Sequence, residues 1–113
     1  MHGGPLHALL ISAVDIKRSI SYIDIAMNRR QRRTLARIFE RPTRSDIRWD
    51  ELASLLRALG AEEHEGAGSR VRFVLAGSIL SLHRPHPRPE LRRYAVEDVR
   101  DFLAARGVEP EED

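Results

Sequence analysis

Cysteine is absent from the 113-residue sequence. Its absence excludes disulfide bonds and zinc sites built on thiolate ligands, and it agrees with a location in the reducing cytoplasm. Aromatic residues are also few, at 5% of the chain. Because Trp49 and Phe73 are both expected in the core, we do not expect an aromatic surface on which single-stranded nucleic acid stacks.

Long apolar runs are missing as well. The longest, residues 6–14, has nine residues, whereas a helix that crosses a bilayer needs roughly 20. Only His2 precedes this run as a basic side chain, so the run lacks the leader of a secretory signal. These features predict a soluble cytoplasmic protein without a membrane segment.

Lysine occurs only once, as Lys17, so arginine supplies nearly all of the basic charge. Residues 27–108 hold 17 arginines and 11 acidic residues, a net charge of +6, whereas residues 109–113 carry a charge of −4. A basic surface attracts phosphate backbones, and an arginine can grip a phosphate with two bonds. The composition therefore favours a nucleic-acid partner, although a coding bias toward arginine and alanine would give the same enrichment.

The length predicts one domain, and the composition divides the chain into four segments. Residues 1–26 form an N-terminal extension that we expect to be dispensable, with Met27 as an alternative start. Residues 27–44 contain a basic helix, and residues 45–108 form the main domain. Residues 109–113 form an acidic tail that we expect to be disordered.

The stretch NRRQRRTLARIFERP predicts a helix that is capped by Asn28 and ends before Pro42. One face of this helix is apolar, with Leu35, Ile38 and Phe39. The opposite face carries four arginines, Arg29, Arg30, Arg33 and Arg37. This basic face is either a solvated surface or an RNA contact, and the sequence leaves both readings open.

Two further stretches predict helices that pack in the core. In DIRWDELASLLRALG, leucines recur at i, i+3, i+4 and i+7 before a glycine stop at Gly60. These leucines are Leu52, Leu55, Leu56 and Leu59. In RRYAVEDVRDFLAARGV, an apolar stripe precedes Gly107 and consists of Val96, Val99, Phe102 and Leu103.

Three short strands are predicted between these two helices. AEEHE is a weak strand by propensity, and GAGS after it is a turn. RVRFVL and SILSLH alternate apolar and polar residues, and they form a hairpin around Gly77. A turn at residues 76–77 places Arg70 opposite His83, whereas a turn at residues 77–78 places Arg72 there.

The order of elements predicts an α+β domain, in which a three-stranded antiparallel sheet has the helices packed on one face. A helical N-terminal extension precedes this core. The other face of the sheet stays open. In either register, His83 lies beside an arginine on that open face.

From residue 47 to residue 108 the order of motifs resembles the HicA family of toxin–antitoxin proteins. The motifs are Leu59-Gly60 at the end of the leucine helix, Gly68-Ser69, the arginine-rich strand, His-Arg-Pro-His-Pro at residues 83–87, and a final helix closing on residues 105–108. The resemblance implies a fold similar to the double-stranded-RNA-binding domain (dsRBD), with the core order α-β-β-β-α. It also implies a metal-independent mRNA endoribonuclease, which acts as a hydrolase, and a HicB-like antitoxin that neutralises it.

The sequence departs from the family at one functional position. Typical members have a catalytic histidine directly after the Gly-Ser pair, and this position is Arg70 here. The downstream Pro-His motif of the family does match, on His86-Pro87. The resemblance therefore implies RNA binding and the fold more directly than it implies cleavage.

Metal-free RNA cleavage needs a base for the 2′-hydroxyl proton, an acid for the leaving oxygen, and cations for the phosphate charge. Histidine suits the first two tasks because its ordinary pKa is about 6.5. We assign His83 as the base and His86 as the acid. RNA binding is assigned to Arg70, Arg72, Ser69 and Arg84, with recognition of the backbone and of duplex shape. No metal or cofactor is assigned.

Other interpretations of these residues remain open. The prolines between His83 and residue 89 are consistent with a stiff connection in which both histidines bond only to backbone groups. His83 and His86 also have the spacing of a His-x-x-His metal site, but no third ligand is evident nearby. Finally, the sheet and the basic helix would also suit a non-catalytic interaction module that binds an acidic or antitoxin-like partner.

Overall fold

A computed structural model describes residues 26–111 of the chain. These residues form an α+β fold with the elements α1 (Arg29–Ile38), α2 (Trp49–Ala58), β1 (Glu62–Glu65), β2 (Arg70–Leu75), β3 (Ser78–His83) and α3 (Arg93–Ala105). The predicted fold class is confirmed. The predictions for residues 1–25 and for the last two residues of the tail lie outside the described residues. None of the helices in the described part is long and apolar enough to cross a membrane.

The sheet is antiparallel in the order β1-β2-β3, with β2 in the centre. β2 and β3 are joined by a two-residue turn at Ala76 and Gly77, whose φ angles of 52° and 79° are both positive. Such turns match the right-handed twist of the flanking strands. The turn therefore selects the first of the two predicted registers, in which Arg70 lies opposite His83.

The hydrophobic core lies between the inner face of the sheet and the helices. Every leucine predicted for α2 and every residue of the predicted stripe on α3 is buried. The sheet contributes Val71, Phe73, Leu75, Leu80 and Leu82. Each fully buried Leu, Val or Phe side chain stabilises the fold by roughly 1.5–3 kcal/mol, so the inward residues of the two long strands fix which face turns outward.

Helix α1 belongs to this same core, although it precedes the predicted main domain. Leu35 and Ile38 are buried against the other helices, as predicted, and Met27 just before the helix is also buried. At the start of α1, the Asn28 side chain accepts a hydrogen bond from the backbone N–H of Gln31, and the Gln31 side chain accepts one from the backbone N–H of Asn28. This reciprocal cap satisfies two of the free N–H groups at the helix start.

A buried arginine ties α3 to the end of α1. Arg100 is only 5% exposed and donates hydrogen bonds to Ile38 O at 2.9 Å, to Glu40 O at 3.1 Å and to Thr43 Oγ1 at 2.9 Å. The final carbonyl groups of a helix have no partner within the helix and carry partial negative charge. The guanidinium of Arg100 supplies both the missing donors and the opposite charge.

The proline-rich connection between β3 and α3 is held against the start of α2. Trp49 N donates to Pro89 O at 2.8 Å, and Leu91 N donates to Ile47 O at 2.7 Å. Leu91 and Ile47 are also buried. The connection is therefore packed on the domain over part of its length, and this anchoring gives the residues next to it defined positions.

Candidate functional site

The outer face of the sheet is the most exposed part of the strands. Side chains alternate along β2 and β3, so that Arg70 and Arg72 point away from the core together with Ile79, Ser81 and His83. On β1, His64 lies opposite Arg72 and belongs to the same face. The structure thus confirms the predicted placement of the two arginines and of His83 on one open face.

His83 lies at the end of β3, directly opposite Arg70 at the start of β2. Its Nδ1 atom is 3.2 Å from Ser69 Oγ. The backbone N–H of Arg84 donates to Ser69 O at 2.7 Å, which holds Ser69 close to the end of β3. If Nδ1–H donates to the serine hydroxyl, Nε2 is left with a free lone pair that can accept a proton.

Arg70 and Arg72 have no carboxylate within ion-pair distance among residues 26–111. Some other exposed arginines differ, since Arg57 pairs with Glu63 at 2.9 Å and Arg48 pairs with Asp50 at 3.2 Å. An arginine that already has a carboxylate partner must give it up to bind another anion. The arginines of the outer face are therefore among those available to an external phosphate.

Arg84 does not join the other predicted RNA-binding residues on the outer face. Its Nη2 atom lies 2.9 Å from Glu65 Oε2 and 3.5 Å from Glu63 Oε2, and its guanidinium lies over the ring of Trp49 at 5.4 Å from the centroid. The hydrogen bond from Arg84 lowers the pKa of the Glu65 carboxyl, and the same bond raises the pKa of Arg84. A role of Arg84 in RNA binding stays a prediction.

This ion pair predicts a pH-dependent effect of Glu65→Gln. Because the pKa of Glu65 is lower in the folded chain than in the unfolded chain, the carboxylate adds stability above its unfolded pKa, and this stability is lost as the pH falls through the folded pKa. We expect the variant to unfold at lower urea concentration than the native chain at neutral pH. The difference should shrink as the pH falls below the ordinary pKa of a glutamate, about 4.3.

The matched control for this prediction is the same substitution in an Arg84→Gln background. Without the guanidinium, Glu65→Gln should change the urea midpoint by the same small amount at every pH. A pH-dependent difference that persists without Arg84 would contradict the assignment of the effect to this pair.

His83 and His86 line one pocket of about 150 Å³, although they belong to different elements. His83 ends β3, and His86 lies in the proline-rich connection. We call this cavity the His83 pocket. Its wall also includes Arg84, Pro85, Leu91, Arg92, Tyr94 and Ala95. The structure therefore brings together the two imidazoles that the sequence analysis assigned to acid–base chemistry.

Two residues of the His83 pocket, Arg92 and Tyr94, were not identified from the sequence. They lie immediately before α3 and in its first turn. The sequence could have indicated Tyr94, because this position falls outside the apolar stripe of α3. An aromatic side chain at such a position is not expected to be buried in the core. No sequence pattern indicated that Arg92 lines the pocket, because the path of the proline-rich connection depends on contacts with distant residues.

Residues 26–111 contain no group of three or more His, Asp or Glu side chains that is placed to hold a metal ion. His83 and His86 would supply two ligands at most. A closed zinc site needs four ligands, and a catalytic zinc site usually has three from the protein. These residues therefore do not fit a metal centre by themselves.

Comparison with known families gives one match. Residues 49–104 match the model of the HicA toxin of bacterial toxin-antitoxin systems. No curated protein and no solved structure matches the chain. The matched segment runs from the first residue of α2 into the last turn of α3, so it contains the whole sheet and the His83 pocket and leaves α1 outside.

Proposed function

Because the chain belongs to the HicA-like toxin family of bacterial toxin–antitoxin systems, we propose that it binds RNA through the outer face of its sheet. Membership of this family supports a toxin-related function and an antitoxin partner. The proposal adds the ligand and the surface that holds it. The proposed ligand is mRNA in the cytoplasm, bound mainly by its phosphate backbone.

One observation carries this proposal: within residues 26–111, Arg70 and Arg72 lie exposed on β2 and have no carboxylate partner. Arg70 and Arg72 are two residues apart on β2, so their side chains leave the same face about 7 Å from each other. Each guanidinium can bind a phosphate with two hydrogen bonds. A surface with these properties favours an extended anion over a single small one.

The double variant Arg70→Gln/Arg72→Gln is expected to bind RNA more weakly and with less dependence on salt. Each lost phosphate contact should reduce the slope of log K against log salt concentration by about 1. Filter binding of a duplex RNA of about 16 base pairs, between about 50 and 200 mM salt, measures both quantities.

The matched control is Arg48→Gln/Arg57→Gln, which removes the same charge from two arginines that already have carboxylate partners. It should keep most of the native affinity and slope. Equal losses in the two double variants would show a general effect of net charge, and they would overturn the assignment of the outer face. Native affinity that is absent or flat with salt would overturn RNA binding itself.

We extend the proposal to cleavage, with His83 as the general base and His86 as the general acid. The supporting observation is that both imidazoles line one pocket next to the arginines. Arg70 occupies the position of the histidine that the family resemblance marks as catalytic. Its cross-strand partner is His83, and the Cβ atoms of such partners lie about 5 Å apart. The imidazole of His83 therefore lies on the strand next to the usual position of the catalytic histidine. From there it can reach a phosphate that Arg70 binds.

A HicB-like antitoxin is proposed as the protein partner, with an acidic surface that covers the same outer face. Charge complementarity favours this geometry, because Arg70 and Arg72 lack internal partners. In this arrangement the antitoxin and RNA compete, so a saturating antitoxin should abolish RNA binding. An antitoxin that binds elsewhere and leaves RNA affinity unchanged would contradict it.

A further inference from the structure

The His83 pocket has an aromatic wall that core packing does not explain. Tyr94 is 59% exposed, and Ile79 is the other large apolar side chain in the described part of the chain that is exposed by more than half. The residues that follow Tyr94, Ala95 and Val96, are buried and hold α3 on the core. Tyr94 therefore stands on a fixed backbone, lines the pocket and is largely exposed to solvent.

Two arginines near this ring, Arg92 and Arg88, have no carboxylate partner in the described part of the chain. Arg92 lines the His83 pocket, and Arg88 lines the larger cavity that adjoins it and shares His86 and Arg92 with it. Neither arginine has a carboxylate within ion-pair distance among residues 26–111. The two cavities thus share residues of the proline-rich connection, with Tyr94 lining the smaller one, Arg92 lining both, and Arg88 lining the larger one together with Asp46 and Glu90.

The size of the pocket limits what it can accept. The pocket, at about 150 Å³, is on the scale of a single base. A base inside a duplex is already stacked on both faces, and the deep major groove of A-form RNA is closed to side chains. Within a continuous RNA strand, an unpaired base can therefore lie on the ring of Tyr94, whereas a paired base in the interior of a helix cannot.

We infer that the His83 pocket binds a single unpaired nucleotide of RNA, with the base stacked on Tyr94 and the flanking phosphates on Arg92 and Arg88. This inference rests on the proposed RNA-binding function and specifies its substrate class. The sheet face holds the neighbouring backbone, and the unpaired nucleotide lies next to His83. Chain flexibility at an unpaired nucleotide also allows the 2′-hydroxyl to approach the imidazole in a geometry that a regular helix does not offer.

The experiment compares two RNAs that differ by one nucleotide. One is a regular duplex, and the other is the same duplex with a single unpaired 2-aminopurine in its centre. The native chain is expected to bind the second RNA about tenfold more tightly, since stacking of one base on an aromatic side chain contributes roughly 1–3 kcal/mol. The 2-aminopurine fluorescence should fall on binding because the base stacks on the tyrosine ring.

The variants separate the aromatic ring from its hydroxyl and from general apolarity. Tyr94→Leu should lose both the tenfold preference and the fluorescence change, while Tyr94→Phe should keep them. Both variants should bind the regular duplex with native affinity, because neither changes the outer face of the sheet.

The possible failures are distinguishable. Equal affinity of the native chain for the two RNAs, or a preference that survives in Tyr94→Leu, would overturn the inference about the pocket. If salt-dependent binding of the regular duplex is still present in that case, the proposed function stands. Loss of binding to both RNAs in the native chain would overturn the two together.

Discussion

The variant His83→Ala is expected to cleave RNA about 10² to 10⁴ times more slowly than the native chain while it keeps most of its RNA affinity. In the proposed mechanism the imidazole takes the 2′-hydroxyl proton, whereas Arg70 and Arg72 supply the attraction for phosphate. The measurement is the cleavage of end-labelled mRNA by the purified chain in the presence of a chelator. An RNA with a 2′-deoxy substitution at the cut site should resist cleavage.

The matched control is His64→Ala. His64 lies on the same outer face, opposite Arg72, and its imidazole is 3.2 Å from Glu62 rather than next to the His83 pocket. It should cleave at the native rate. The same pair of variants can be compared in a host cell, where growth arrest should follow expression of the native chain and of His64→Ala and be absent with His83→Ala.

One result would reverse this assignment. Arg70→His restores a histidine at the position where the family resemblance puts the catalytic one. If the native chain neither cleaves RNA nor arrests growth, and Arg70→His does both, His83 is not a sufficient base and the native chain binds RNA without cutting it. Native cleavage that survives in His83→Ala would likewise exclude His83.

The variant Arg100→Met is expected to lower the free energy of unfolding by about 3 kcal/mol or more. Methionine fills a similar volume, but it removes the donor from Ile38 O, where the contact is buried, and from Glu40 O, where it is partly buried. For a domain of this size the Tm should fall by about 12 °C or more. Thermal unfolding followed by circular dichroism and by the fluorescence of Trp49 measures the loss.

Arg93→Met is the control for this prediction. Arg93 also lies on α3 and donates to the same loop, at Thr43 O, but that contact is exposed. Its replacement should change the free energy of unfolding by about 0.5 kcal/mol or less. If the two variants lose equal stability, the burial of Arg100 is not what matters, and the proposed link between α3 and the end of α1 is wrong.

The leucine helix and the hairpin were predictable because their signals are local. Leucines at helical spacing and a glycine stop define α2 without reference to the rest of the chain, and Gly60 has the expected positive φ of 98°. The register of the hairpin could be narrowed only to two possibilities. The choice between them depended on Ala76, which adopts a positive φ that its residue type does not favour.

Other features depended on contacts between distant residues, and local patterns do not encode them. β1 is a weak strand by propensity, yet it pairs with β2 along Glu62–Glu65, where Arg57 and Arg84 provide partners for Glu63 and Glu65. Tertiary contacts here override the intrinsic preference of the chain. The structural role of Arg100 was missed for a related reason, because its partners are carbonyl groups more than fifty residues away.

The two free edges of the sheet differ in chemistry. The β1 edge consists of four charged or ionisable side chains in a row, and such an edge discourages the addition of a strand from another chain. Within residues 26–111, β3 has no comparable row of charged side chains, since it carries Ile79, Ser81 and His83 on the outer face. A strand added by β-augmentation would therefore meet less opposition at β3 than at β1, and it would lie alongside the imidazole there.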